Sequence, residues 1–133
     1  MAVVLLLALY GMTLSVAAES DLDTAEKLAT LLRSARTVIS ANQSLINATT
    51  IVDKGLTGDV VARRATELFE ETSGISIESL DGSSRVRRFL DAQVSSIREI
   101  VDEHQTTINK PGIGFKGFVP ATFARLVNER FTL

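Results

Sequence analysis

The chain has 133 residues, 14 Lys and Arg against 16 Asp and Glu, and a formal net charge of −2. That length suits one domain of modest core, and the mixed signs leave no basic stripe, so nucleic acid is not an expected partner. Cysteine is absent and His104 is the single histidine, which excludes disulfides, thiolate metal sites, cysteine nucleophiles, covalent haem attachment and a multi-histidine metal centre within one chain.

Residues 2–18 are uncharged and mostly apolar, and Glu19 opens an abruptly polar region. Val16-Ala17-Ala18 places small residues where cleavage after Ala18 needs them, so 1–18 reads as a signal peptide or, uncleaved, as a membrane anchor. A buried core helix is the third reading. Both leading readings put 19–133 outside the cytoplasmic membrane, in the periplasm.

From residue 20 the apolar positions Leu28, Leu31/Leu32, Ala35, Val38/Ile39 and Leu45/Ile46 recur at three-four spacing, which predicts one long helix over 20–48. A connector over 49–57 contains Lys54-Gly55. Thr57 or Asp59 then caps a second helix to about Glu71, and Ser73-Gly74 ends it. ISIESL (75–80) alternates as a short strand or an extended linker would, and Asp81-Gly82-Ser83-Ser84 reads as a turn and helix cap. The stripe Val86, Phe89/Leu90, Val94, Ile97, Ile100/Val101, His104 and Ile108 predicts a second long helix over 84–108, with Asp102-Glu103 on its solvated face. Residues 109–119, rich in Gly, Pro and Phe, form a loop, and Pro120 starts a final short helix.

The two halves repeat. Residues 46–69 align without a gap on 108–131, pairing Ile46/Ile108, Asn47/Asn109, Ile51/Ile113, Lys54/Lys116, Gly55/Gly117, Ala62/Ala124, Arg63/Arg125, Glu67/Glu129 and Phe69/Phe131. Ser34/Ser96, Arg36/Arg98 and Gln43/Gln105 match at the same offset. Chance would give roughly two identities over such a span. The expected fold is therefore mainly α, built from two units of long helix, Lys-Gly loop and short helix.

Lys116-Gly117 stands just before a helix start, where free amides, a glycine and an ammonium would suit a carboxylate or phosphate, and Arg125 could add a bidentate fork. Turn chemistry and the i,i+4 pairs Arg63–Glu67 and Arg125–Glu129 explain the same residues without a ligand. Gly112 and Gly117 have phosphate-loop separation, but Phe118 stands where that motif needs Lys. Phe115 and Phe118 are expected to anchor the loop on the core or to line one pocket wall. His104 falls where the first unit has Asn42; it reads as a hydrogen-bonded, partly buried histidine or as the ligand of a non-covalent haem. No nucleophile, base and orienter assemble from one histidine, so no enzyme is expected.

The segment NKPGIGFKGFVPATFARLVNERF, with IREIVDEHQTTI before it, resembles bacterial extracytoplasmic PAS-like sensor domains, over about 24–131 and most specifically at 109–131. The resemblance implies a long N-terminal helix leading into an α+β domain that holds a small ligand, in some members a covalent haem c. The haem motif is absent here, and the chain stops where β-strands are implied, so it reads as truncated. The expectation is a non-catalytic sensory module that binds a small anionic or aromatic ligand at His104, Phe115, Lys116, Gly117, Phe118 and Arg125. The alternative is a helical interaction protein without a small ligand, whose two long stripes (Ile97 and Val101 on the second) pair as an antiparallel hairpin or dimerise.

Overall fold

A computed structural model of the chain describes the backbone of residues 2–132 and the side chains of residues 20–132. The described residues form α1 (Ala2–Ala41), α2 (Gln43–Ile46), α3 (Gly58–Ser73), α4 (Arg85–Glu103), α5 (Gln105–Ile108) and α6 (Pro120–Phe131), and no strand. The mainly helical expectation holds, and the β elements implied by the resemblance do not occur among these residues. No described helix is long and apolar enough to cross a membrane. The side chains of 1–18, expected as a leader or anchor, lie outside the described residues.

The start and stop signals act where their chemistry requires. Thr57 Oγ1 accepts from the Val60 N–H at 3.3 Å, and Ser84 Oγ accepts from the Arg87 N–H at 3.2 Å. Each hydroxyl satisfies a first-turn donor that has no partner inside its helix. Gly74, at φ 71°, closes α3 in the left-handed conformation, and Pro120 takes the first position of α6, where its missing N–H costs nothing.

Two departures from the sequence expectation concern the long helices. Neither runs unbroken: Asn42 interrupts the first at φ −102°, ψ 9°, and His104 interrupts the second at φ −98°, ψ 10°. At each break the side chain bonds the carbonyl four residues back, Asn42 Nδ2 to Val38 O at 2.8 Å and His104 Nδ1 to Ile100 O at 2.7 Å. Such back-bonding competes with the helical ladder and lets the axis turn. At 75–80 there is no strand: Ser76 and Leu80 are extended, and between them Ile77–Ser79 make a 3-10 turn that plugs Ile77 into the core. Arg87 Nη1 holds that turn by donating to Ile77 O at 2.8 Å.

Around the core, α1 packs on α3, α3 on α4, α4 on α6 and α6 on α1, with α1 also touching α4 across the ring. The chain runs up, down, up and down, so the loops 47–57 and 109–119 share one end of the bundle. Asp21 and Arg85, paired at 2.6 Å, and Phe89 and Phe131, with ring centroids 6.3 Å apart, mark the other end. Leu31, Ile39, Val61, Phe69, Leu90, Phe123 and Val127 are sealed inside, each worth about 1.5–3 kcal/mol of transfer free energy. Ile97 and Val101 are sealed with them. The stripe lies in this chain's own core, so its pairing is within the chain rather than left open to another.

Candidate functional site

The loop end of the bundle gathers the sequence-predicted residues, and it sorts them between inside and outside. α2 ends at Ile46 and α5 at Ile108, so orphan carbonyls converge where the two long helices stop. Lys116 answers them: its Nζ donates to Ile46 O at 2.6 Å, to Ile108 O at 3.0 Å and to Ala48 O at 3.4 Å. A cation is the favoured group at a helix C-terminus. Lys54, 8 % exposed, donates from Nζ to Ile51 O at 2.8 Å. The two ammonium groups are neighbours. Desolvation first, and then the adjoining Lys54, push the Lys116 pKa down from 10.5 to about 8.

Around this pair the loops are cross-bonded. Gln43 Nε2 reaches Phe118 O at 3.3 Å, and Gln105 Nε2 reaches Leu56 O at 2.9 Å. Asn109 Oδ1 accepts from the Lys54 N–H at 3.1 Å, and Gly112 N–H donates to Thr49 O at 3.0 Å. Gly55 and Gly117 hold φ 63° and φ 73°, left-handed values that a side chain strains to reach. Each loop is thereby tied to the other, and each glutamine, from the break at the end of one long helix, bonds the loop of the opposite half.

The expected ligand cluster does not assemble. Lys116 turns its ammonium inward onto carbonyls instead of outward beside the α6 start. Gly117 makes the turn, and Phe118, 2 % exposed, lies in the core with its ring 5.3 Å from His104 and 6.1 Å from Phe123. Phe115, by contrast, is 73 % exposed, so it neither anchors the loop nor lines a pocket wall. Arg125 points to solvent and bonds Glu129 at 2.7 Å, and Arg63 sits 3.9 Å from Glu67. The reason is local: Gly117 turns the chain at φ 73° between Lys116 and Phe118, so the lysine reaches the carbonyls and the phenylalanine the core from the two sides of that turn.

Asp102 lies on the exposed face expected for it, and the bond it makes there is one that its own spacing did not reveal. Its Oδ1 accepts from the Gly58 N–H at 2.7 Å, placing a carboxylate at the start of α3. The signal was present in Gly58 itself, a glycine at a helix start pressed so closely on α4 that an added Cβ would strike the Arg98 carbonyl oxygen and the Asp102 carboxylate.

A groove of about 570 Å³ lies elsewhere, between α3 and α4, and is lined by Asp59, Arg63, Glu67, Arg87, Asp91 and Arg98 among others. These charges largely pair among themselves, Arg98 with Asp59 at 2.6 Å and Arg87 with Asp91 at 2.8 Å. Among the described residues no group of three or more His, Cys, Asp and Glu side chains comes together to hold a metal ion. Among the described side chains outside the core, the large apolar ones that remain exposed are Ile51, Val52, Ile113 and Phe115 on the two loops, and Leu22 on α1. Comparison of the chain with protein-family models, with curated proteins and with solved structures finds no match.

Proposed function

We propose that the chain is a non-catalytic, extracytoplasmic helical module of sensory type, which recognises a macromolecular partner through the loop end of its bundle. The observation that carries this reading is that exposed Ile51, Val52, Ile113 and Phe115 all lie on two loops that are hydrogen-bonded to each other. Soluble surfaces rarely concentrate large apolar groups this way without a use for them. The uncharged apolar run 2–18 and the small residues before Glu19 support export, and the resemblance at 109–131 supports the sensory assignment. Ser20 lies at the end of the bundle away from the loops, so the apolar tips face away from the N-terminal segment. Signals would enter through the loops and leave along α1 and α4.

In this reading the bundle consists of two repeated units related by an approximate two-fold axis along its length. The matched helix breaks at Asn42 and His104, the glycine turns at Gly55 and Gly117, and the exchanged glutamine contacts support it. The small-molecule version is set aside because the Lys116 ammonium is saturated by three carbonyls.

Site-specific photocrosslinking tests the proposal. A photoreactive aromatic residue in place of Phe115 or Val52 should form crosslinks in cells, whereas the same group at Arg125, equally exposed but on a helix face, should not. Crosslinks absent from both loop positions would refute the reading.

A further inference from the structure

We infer that the partner at the loop end is a second copy of this chain, the two copies meeting head to head through Ile51, Val52, Ile113 and Phe115. The inference rests on the reading of the loop end as a recognition surface and names its occupant.

Size and charge both select this occupant. With exposures of 44 %, 57 %, 42 % and 73 %, the four side chains present roughly 400 Å² of apolar surface. A standard interface takes about 800 Å² from each partner and is somewhat more than half apolar, so this patch with its polar rim is close to one side of a modest dimer. The charged residues on these loops that remain exposed are Asp53 and Lys110, one of each sign. Two copies therefore meet without net repulsion although the whole chain carries −2. An anionic lipid surface would call for a basic rim, and a basic peptide for an acidic one; neither is present. A two-fold pairing presents the same patch from each copy, as an isologous contact requires.

The pairing has a geometric consequence. Ser20 lies at the far end of each bundle, so a head-to-head dimer carries its two N-terminal segments at opposite poles. Such a dimer forms between chains that are not both held in one membrane, which accords with cleavage after Ala18.

Sedimentation equilibrium of the full chain in mild detergent, from about 1 to 300 µM, decides the matter. A reversible dimer is expected in the micromolar range. Val52→Ser with Phe115→Ser should weaken it by at least about tenfold, since a two-fold dimer loses both apolar side chains from each copy. Leu22→Ser, an exposed apolar site at the opposite end, should leave it unchanged, and Lys110→Glu should weaken it in a salt-dependent way. Because the chain has no cysteine, Ile113→Cys should give a disulfide-linked dimer on mild oxidation and Glu78→Cys should not. A chain that stays monomeric throughout, or a dimer indifferent to the loop substitutions, overturns the inference. If the chain is monomeric while position 115 crosslinks to a different protein, the second copy is refuted and the recognition surface survives. If it is monomeric and nothing crosslinks, both fail.

Discussion

Replacing Gly58 by alanine should destabilise the protein although the position lies at the start of a helix. On helix propensity alone the exchange is favourable by up to about 1 kcal/mol. The packing reverses the sign. An added Cβ would overlap the Arg98 carbonyl oxygen and would stand 2.7 Å from both Cγ and Oδ2 of Asp102. The carbonyl belongs to the α4 backbone and has no rotamer through which to yield. The Asp102 side chain can move, but only by giving up its 2.7 Å bond to the Gly58 N–H. Overpacking costs about 1–3 kcal/mol and a lost charged hydrogen bond about 1.5–3 kcal/mol. Less the propensity gain, the net is about 1.5–5 kcal/mol, or a fall in Tm of roughly 6–20 °C for a domain of this size. Thermal and urea unfolding followed by circular dichroism would measure it. Gly82→Ala is the control: nothing lies within 4 Å of its added Cβ, so it should be neutral or stabilising by up to about 1 kcal/mol. A Gly58→Ala protein as stable as the parent would show that α3 does not seat on α4 as described.

The remaining predictions concern the loop end. Lys116, at about 8, titrates below its ordinary value of 10.5, so between those two the unfolded chain binds the extra proton and stability should rise with pH across that window. Replacing Lys54 by Met should raise the Lys116 pKa, read from its side-chain NMR signals, and flatten that rise; a pKa left near 8 would refute the pairing of the two ammonium groups. His104→Asn should leave the unfolding midpoint nearly unchanged, because Asn42 makes the same bond at the other break, whereas His104→Ala should cost about 1–2 kcal/mol. Phe118→Ala should cost about 3–5 kcal/mol and Phe115→Ala less than about 0.5 kcal/mol; equal effects would mean that the loop is seated differently.

Much of the helical layout was legible because caps and stops act through local chemistry. Thr57, Ser84, Gly74 and Pro120 each do at their position what their side chain or missing N–H dictates. The breaks at Asn42 and His104 were not legible from spacing, since a kink one residue wide leaves the three-four recurrence of Val38/Ile39 and Leu45/Ile46 intact. The turn inside 75–80 was not legible for a different reason: six alternating residues do not separate strand from linker, and the bond from Arg87 to Ile77 O, ten residues away in sequence, holds the turn. At the site, residue type and repetition pointed to Lys116, Phe118 and His104 but carried no information about direction. Periodicity gives facing only within regular elements, and the loop 109–119 has none.

That missing direction is what separates scaffold from surface at the loop end. Carbonyls at the ends of α2 and α5 need donors that can reach them from above, and a lysine has both the length and three N–H groups to spend. Once Lys116 is drawn inward to Ile46 O and Ile108 O, the residue before it is turned out and Gly117 brings Phe118 back under the loop. The other loop obeys the same logic: Lys54 goes in to Ile51 O, leaving Ile51 and Val52 outside, and Leu56 returns to the core beyond Gly55. The apolar tips are thus exposed by the same bonds that close the interior. The inward-turned lysines and the exposed patch are one construction, so a lysine substitution that frees either loop should disperse the patch even though it touches none of its side chains.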